Sequence, residues 1–139
     1  MIDPLKAAAN IAGAGLAAQT VRLRVVSENL ANASSTGATA GADPYRRKTV
    51  TFESEFDDLV GASKVSVKSI GEDQSPFQMV QDPGNPAADS DGNVKMPNVN
   101  MLVEMADMRE ANQSYEANLQ MVKQARTMTS MMLDLLRNG

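Results

Sequence analysis

Cysteine, histidine and tryptophan are absent from this sequence, and only two tyrosines and three phenylalanines stand among its 139 residues. Without cysteine there are no disulfides and no thiol nucleophiles. Without histidine there is no imidazole base, and the usual ligand sets for zinc, copper and iron are gone. So few aromatics argue against a deep small-molecule pocket. What remains is carboxylate, lysine and hydroxyl chemistry, and no Gly-rich phosphate loop or nucleophile elbow accompanies it. Glu104, Asp107 and Glu110 lie close in sequence, but nothing apolar around them would raise a carboxyl pKa, so they read as a solvated helix face. Asp89, Asp91 and Asn93 begin like a calcium loop, yet its sixth position would be Val94 where glycine is needed and its twelfth Asn100 where glutamate is needed. The expectation is a protein that is not an enzyme, with no catalytic residues, no cofactor, no metal and no small-molecule substrate.

Positive charge is also in short supply, with 13 Lys and Arg against 17 Asp and Glu. Residues 34–97 hold six basic and ten acidic side chains, while both ends are nearly neutral. No basic stripe is available to neutralise phosphates, which argues against nucleic acid and anionic membrane surfaces as partners. There is no run of about 20 apolar residues such as a membrane span requires. The Ala-rich stretch after Lys6 is interrupted by Asn10, Gly13 and Gly15 and lacks the leucine-rich centre of a secretory signal, so the N-terminus is expected to be kept.

What is present is apolar periodicity at the two ends. Asp3-Pro4 is a good helix start, since Asp can accept from free N–H groups and Pro suits the first helical position. Leu5, Ala9, Ala12, Leu16, Gln19, Leu23, Val26, Leu30 and Ala33 then step by threes and fours along one seam. Gly13 and Gly15 interrupt that helix at a cost of roughly 1 kcal/mol each against alanine and mark a bend, a close helix contact or a loosely stable helix end. From Val99 to Asn138 there is neither Gly nor Pro, and Met101, Met105, Met108, Asn112, Tyr115, Leu119, Val122, Arg126, Thr129, Leu133 and Leu136 form a second seam. A helix of that length is too long for a small globule to bury and needs a partner helix, for which the N-terminal helix is the intramolecular candidate. The predicted fold is mainly α, with long N- and C-terminal helices pairing as a coiled coil around a small β-containing domain. Residues 1–37 form the first helix and its end, 38–98 the inserted loop and β domain, and 99–139 the last helix.

Residues 34–98 contain five of the six prolines and six of the nine glycines. Thr49–Phe56 and Lys64–Ile70 alternate as half-buried strands, and Phe77–Val80 makes a third. Tyr45, Phe52, Phe56 and Phe77 are placed to give this sheet a small core. Residues 82–86 and 90–93 are turn sequences. Seven of the ten methionines fall in the last helix, where their flexible thioethers suit either core filling or a surface that meets several neighbours. On the residues alone, a soluble helical binding module or secretion chaperone with a Met-rich groove is one reading. An assembling structural protein is the other.

Ser27-Glu28-Asn29-Leu30-Ala31-Asn32, followed by Thr36-Gly37, resembles the N-terminal signature of the flagellar rod and hook proteins. Tyr45-Arg46-Arg47-Lys48-Thr49-Val50-Thr51-Phe52, after Asp43-Pro44, is similar to the proximal-rod proteins of the C type, in which an inserted loop separates the signature from such a strand. Residues 82–89, 96–100, 104–108 and 114–118 continue the resemblance in order, so it covers essentially the whole chain. Ala38–Ala42 is a small-residue version of the inserted loop. The resemblance implies a structural subunit of the proximal rod of the flagellar basal body. Such a subunit is exported by the flagellar type III apparatus without signal cleavage and sits in the periplasmic rod. Its implied partners are copies of itself, other rod proteins, the base-ring adaptor and the export apparatus. The subunit-interface residues expected from the seams and signature are Leu16, Leu23, Val26, Asn29, Leu30, Asn32, Met101, Met105, Met108, Leu119, Val122, Leu133 and Leu136. Asn29 and Asn32 lie three apart on one face. Their amides are expected to bond carbonyls either of their own helix end or of a neighbouring subunit.

Overall fold

The computed structural model describes residues 3–139, so Met1 and Ile2 of the expected 1–37 segment lie outside the described residues. The elements run α1 (Pro4–Ala31), β1 (Lys48–Asp57), β2 (Ala62–Glu72), β3 (Gln78–Gln81), β4 (Asn93–Met96) and α2 (Met101–Asn138). Asp3 caps α1 as its position predicts, accepting from Leu5 N–H through Oδ1 at 3.0 Å. Asn100 caps α2 in the same way, accepting from Leu102 N–H at 3.1 Å and Val103 N–H at 3.4 Å. The three predicted strands are present, β1 and β2 slightly longer than their alternation indicated and β3 shifted by one residue. β4 was not predicted, because its four residues lie between a turn and Pro97 and carry too little alternation to register. Two compact units divide the chain, and each takes a piece of both helices.

The first unit comprises residues 1–23, 51–69 and 109–139. Its helical segments run antiparallel: Arg22 Nη2 meets Glu110 Oε2 at 3.4 Å, Gly15 faces Asn118, and Leu5 and Ala9 share a groove with Ala125 and Thr129. The packed face is built from small residues. Ala12 and Ala18 are buried on α1, and Ala111 and Ala125 on α2. Ala12 belongs to the predicted α1 seam and Ala111 and Ala125 flank the α2 one, but the larger seam residues Tyr115, Leu119 and Val122 are only half-buried here. The physical reason is approach distance, which is set by the side chains at the contact. A Cβ on Gly15 would stand 2.7 Å from the Asn118 amide, whereas one on Gly13 would meet nothing within 4 Å. Of the alternatives for the two glycines, Gly15 is the close helix contact.

In this register Pro4 lies opposite the stretch near Thr129, so the last two turns of α2 extend past the start of α1. Met131, Met132, Leu133, Leu135 and Leu136 in those turns are all exposed. The same unit holds the outer half of the β1–β2 pair. A connection of only four residues requires these strands to run antiparallel. Asp57 organises the turn, accepting from Leu59 N–H at 2.9 Å and Val60 N–H at 3.3 Å, while its other carboxylate oxygen meets Lys64 Nζ at 2.7 Å. Gly61 supplies the left-handed backbone at φ 68° that closes it.

The second unit comprises residues 24–50 and 70–108. β3 and β4 pair antiparallel from Gln78 with Met96 to Gln81 with Asn93. Val94, Ala87, Val25 and Val26 are its buried apolar residues, so the expected aromatic core is aliphatic instead. Its aromatics serve polar neighbours: the Phe77 ring lies under the Arg46 guanidinium at 4.2 Å, and Tyr45 bonds an amide. Asp89 accepts from the N–H groups of Asp91 and Asn93, both at 2.9 Å, so its carboxylate holds a turn. The 38–44 loop is pinned at both ends of its span: Gly37 packs against Ala42, Gly41 N–H donates to Ala87 at 3.1 Å, and Asp43 meets Lys95 Nζ at 2.9 Å.

The two glycines of α1 give a direct test of this packing. Gly13→Ala should raise stability by about 1 kcal/mol through helix propensity, because its methyl enters open space. Gly15→Ala should lose that gain, because its methyl must push aside the Asn118 amide and with it the 2.9 Å bond to the Ser114 carbonyl. Urea unfolding of the two variants, compared by midpoint at constant slope, checks the difference.

Candidate functional site

The signature residues at the end of α1 converge with the 45–48 segment and the first turn of α2 in one polar cluster of the second unit. Its centre is Asn29, 1% exposed. Both of its amide functions are saturated. Nδ2 donates to the Lys48 carbonyl at 2.9 Å and to Glu104 Oε2 at 3.3 Å, and Oδ1 accepts from the Tyr45 hydroxyl at 2.7 Å and Lys48 N–H at 2.9 Å. An amide has two donors and an acceptor with two lone pairs, so no capacity is left over. Neither expected role describes this residue: it caps neither its own helix nor, in these bonds, another subunit, but clamps the start of β1. Asn32 takes the first of the two alternatives, donating from Nδ2 to the Glu28 carbonyl at 2.9 Å while its Oδ1 accepts from Ser35 Oγ at 3.0 Å. That turn carries Tyr45 back to the helix end, where its N–H donates to Ser35 at 2.9 Å.

Glu104 is fully buried, which corrects its reading as part of a solvated face. A buried carboxylate must be paired and hydrogen-bonded. The Arg47 guanidinium donates to Oε1, and Arg47 also reaches Asp73 Oδ2 at 3.4 Å, placing one cation between two carboxylates. Burial works against the Arg47 charge, but the bonds and attraction of Glu104 and Asp73 outweigh it and hold the guanidinium above its usual pKa. Asn98 braces the arrangement by accepting from Arg47 N–H at 2.8 Å and donating to the Asp73 carbonyl at 2.9 Å. Arg46 donates to that same carbonyl at 3.0 Å. Lys48 Nζ meets Glu28 Oε2 at 2.7 Å, and the pair lowers the Glu28 pKa and raises that of Lys48. Each residue from Tyr45 to Lys48 therefore has a defined partner. Bonds from the Ser75 hydroxyl and N–H, with Arg47 adding, hold the Asp73 carboxyl below its ordinary range. Burial pushes the Tyr45 hydroxyl up.

Of the other expected interface residues, Val26 is buried and Leu30 and Met108 half-buried within this second unit, whereas Met101 and Met105 are exposed. In the first unit Leu16, Leu23, Leu119 and Val122 are half-buried, and Leu133 and Leu136 are exposed. Tyr45, Arg47, Asp73, Asn98 and Glu104 were absent from the predicted set. One signal was available: three consecutive cations at 46–48 beside an amide-rich helix end require counter-charge, and Glu104 lies one position from the traced seam. Among the described residues, no group of acidic side chains is arranged to hold a metal ion. Nor is any helix long and apolar enough to cross a membrane. The cluster is a structural lock between chain segments.

Residues 9–39 match the family model described as flagella basal body rod protein, and residues 90–135 match that of the flagellar basal body rod FlgEFG protein C-terminal region. The flagellar basal-body rod protein FlgC of Agrobacterium fabrum is 62% identical over 136 residues, covering 98% of both chains. FlgC of Salmonella typhimurium is 44% identical over 94% of both chains, and FlgC of Bacillus subtilis 39% identical over 79% of this chain and 83% of its own length.

Asn29→Ala and Glu104→Ala should each cost about 3 kcal/mol, because each strands buried polar partners. The double variant should lose less than the sum, since the two side chains share a bond. Denaturant titration of the four proteins measures that coupling, and strict additivity would contradict the described bond. The pH profile has a fixed sign on each side. Asp73 and Glu28, lowered in the folded chain, contribute stability that is present above their unfolded values of about 4 and is lost as pH falls through the folded ones. Tyr45, raised, contributes stability that is present below about 10 and is lost as pH rises through its folded value. Urea midpoints against pH should fall on both sides, with Asp73→Asn flattening the acid limb and Tyr45→Phe the alkaline one.

Proposed function

Because this chain belongs to the FlgC family of flagellar basal-body rod proteins, a structural subunit of that rod, we propose that it joins the proximal rod through the apolar surface its own helices leave uncovered. The alternative of a secretion chaperone or peptide-binding module is set aside by relatives that are rod proteins over nearly their whole length. The observation that carries the reading is the overhang of α2. Five large apolar side chains stand exposed in residues 131–136, and Met101, Leu102, Val103 and Met105 stand exposed at the other end of the same helix. Exposed apolar groups in such numbers mark an interaction surface. Methionines among them adapt to neighbours of different shape, as a subunit between unlike rod proteins requires.

In this proposal α1 and α2 pair as an antiparallel coiled coil, and copies of the chain, other rod proteins and the base-ring adaptor cover its outer face. Export proceeds through the flagellar type III apparatus with the N-terminus retained, and the subunit resides in the periplasmic part of the rod. The role is architectural, and no residue is assigned a catalytic step.

Changing Leu133 and Leu136 together to alanine should leave monomer stability within about 0.5 kcal/mol, since both are solvent-exposed. Incorporation into basal bodies should be lost, because each packed leucine contributes roughly 2–5 kcal/mol at a buried contact. Immunoblots of purified basal bodies from a complemented null strain, alongside the secreted fraction, separate an assembly defect from an export defect. Normal incorporation of the double variant would refute the assignment.

A further inference from the structure

The tip of the β1–β2 hairpin carries the most exposed large apolar side chain described. Leu59 is 91% exposed, and Phe56 beside it 62%. This tip is held rigidly, because Asp57 accepts from the Leu59 and Val60 N–H groups and is neutralised by Lys64. Glu53, Glu55 and Asp58 leave the surroundings negative, and Asp58 forms no ion pair among the described residues. In the same unit, an open groove of roughly 410 Å³ lies between the start of α1 and the end of α2. Leu5, Ala9, Ala125 and Leu133 give it apolar walls, and Lys6 and Arg126 stand on its rim. Neither rim cation pairs with a carboxylate among the described residues, while the rim acid Asp3 is engaged in capping α1.

We propose that the hairpin tip of one copy docks in the α1–α2 groove of a second copy, with Leu59 against the apolar walls and Asp58 facing Lys6 and Arg126. This rests on the rod reading above, which supplies neighbouring copies. The tip cannot be filling its own groove, because it is almost fully solvent-exposed. Knob and socket are complementary in both hydrophobicity and charge, and a preorganised knob loses little freedom on docking. Such a contact joins unlike surfaces. It therefore propagates from subunit to subunit and does not close into a dimer, as a helical lattice demands.

Since the chain contains no cysteine, single cysteines report on this contact without background. Two full-length copies, one Leu59→Cys and one Ala9→Cys with distinguishable tags, would be expressed together in a null strain. Basal bodies would then be isolated and oxidised. A disulfide heterodimer of the two tags is expected. Both variants present in basal bodies without that heterodimer would overturn the docking while leaving the rod reading intact. A cross-link from Leu59→Cys to a different rod protein would overturn the choice of a second copy. Absence of the tagged but unsubstituted chain from basal bodies, with normal folding and secretion, would count against the rod reading itself and the docking with it. A second test avoids cysteine. Asp58→Lys and Arg126→Glu should each lower incorporation several-fold, and the two together should restore it; no rescue would argue against the charge pairing.

Discussion

A carboxylate cut off from water must find its counter-charge and its hydrogen bonds inside the protein, and Glu104 imposes that demand on the second unit. Arg47 answers it with charge and Asn29 with an amide N–H. These three residues come from the end of α1, the entry to β1 and the first turn of α2, so no one of these segments can settle without the others. An aspartate at position 29 would bring acceptors where donors are needed, and a leucine would bring neither. Asparagine satisfies all four neighbours at once, which explains in physical terms why the end of this helix is built around an amide.

The first unit works by the opposite logic. Its helices approach through Ala12, Gly15, Ala18, Ala111 and Ala125. Small residues bury little apolar area, and at about 25 cal/mol per Å² they contribute little each. Spending the inner face on small side chains leaves the large ones outside. The chain thus combines a closed polar lock, its buried groups satisfied inside, with an open apolar stretch that its own packing leaves exposed.

Much of this was readable from residues. The two helices, the cap at Asp3 and three of the four strands follow from capping chemistry and periodicity, whereas the Asn100 cap emerges only from the structure. What was misread follows from the same tools. A heptad trace favours the largest apolar residues, so it followed Met105 and passed over Glu104 at the neighbouring position. It likewise followed Leu119 past Asn118, although the close contact belongs to the smaller and more polar side. Burial of a charge depends on a partner 57 residues away in sequence, and no local pattern encodes that distance. Asn29 was singled out correctly as special. Its partners were not, because its bonds reach into β1, 19 positions on in sequence and across a loop whose path is fixed by contacts such as Gly41 with Ala87.

The antiparallel segments of the first unit do not end level, because α2 runs on past the start of α1 and leaves Met131, Met132, Leu133, Leu135 and Leu136 uncovered. A polymer built through that end has two chemically different termini: at one the bare segment is already covered, and at the other it still waits. Addition at the two termini of such a polymer would then proceed with different rate constants, because one offers the overhang and the other the surface that covers it.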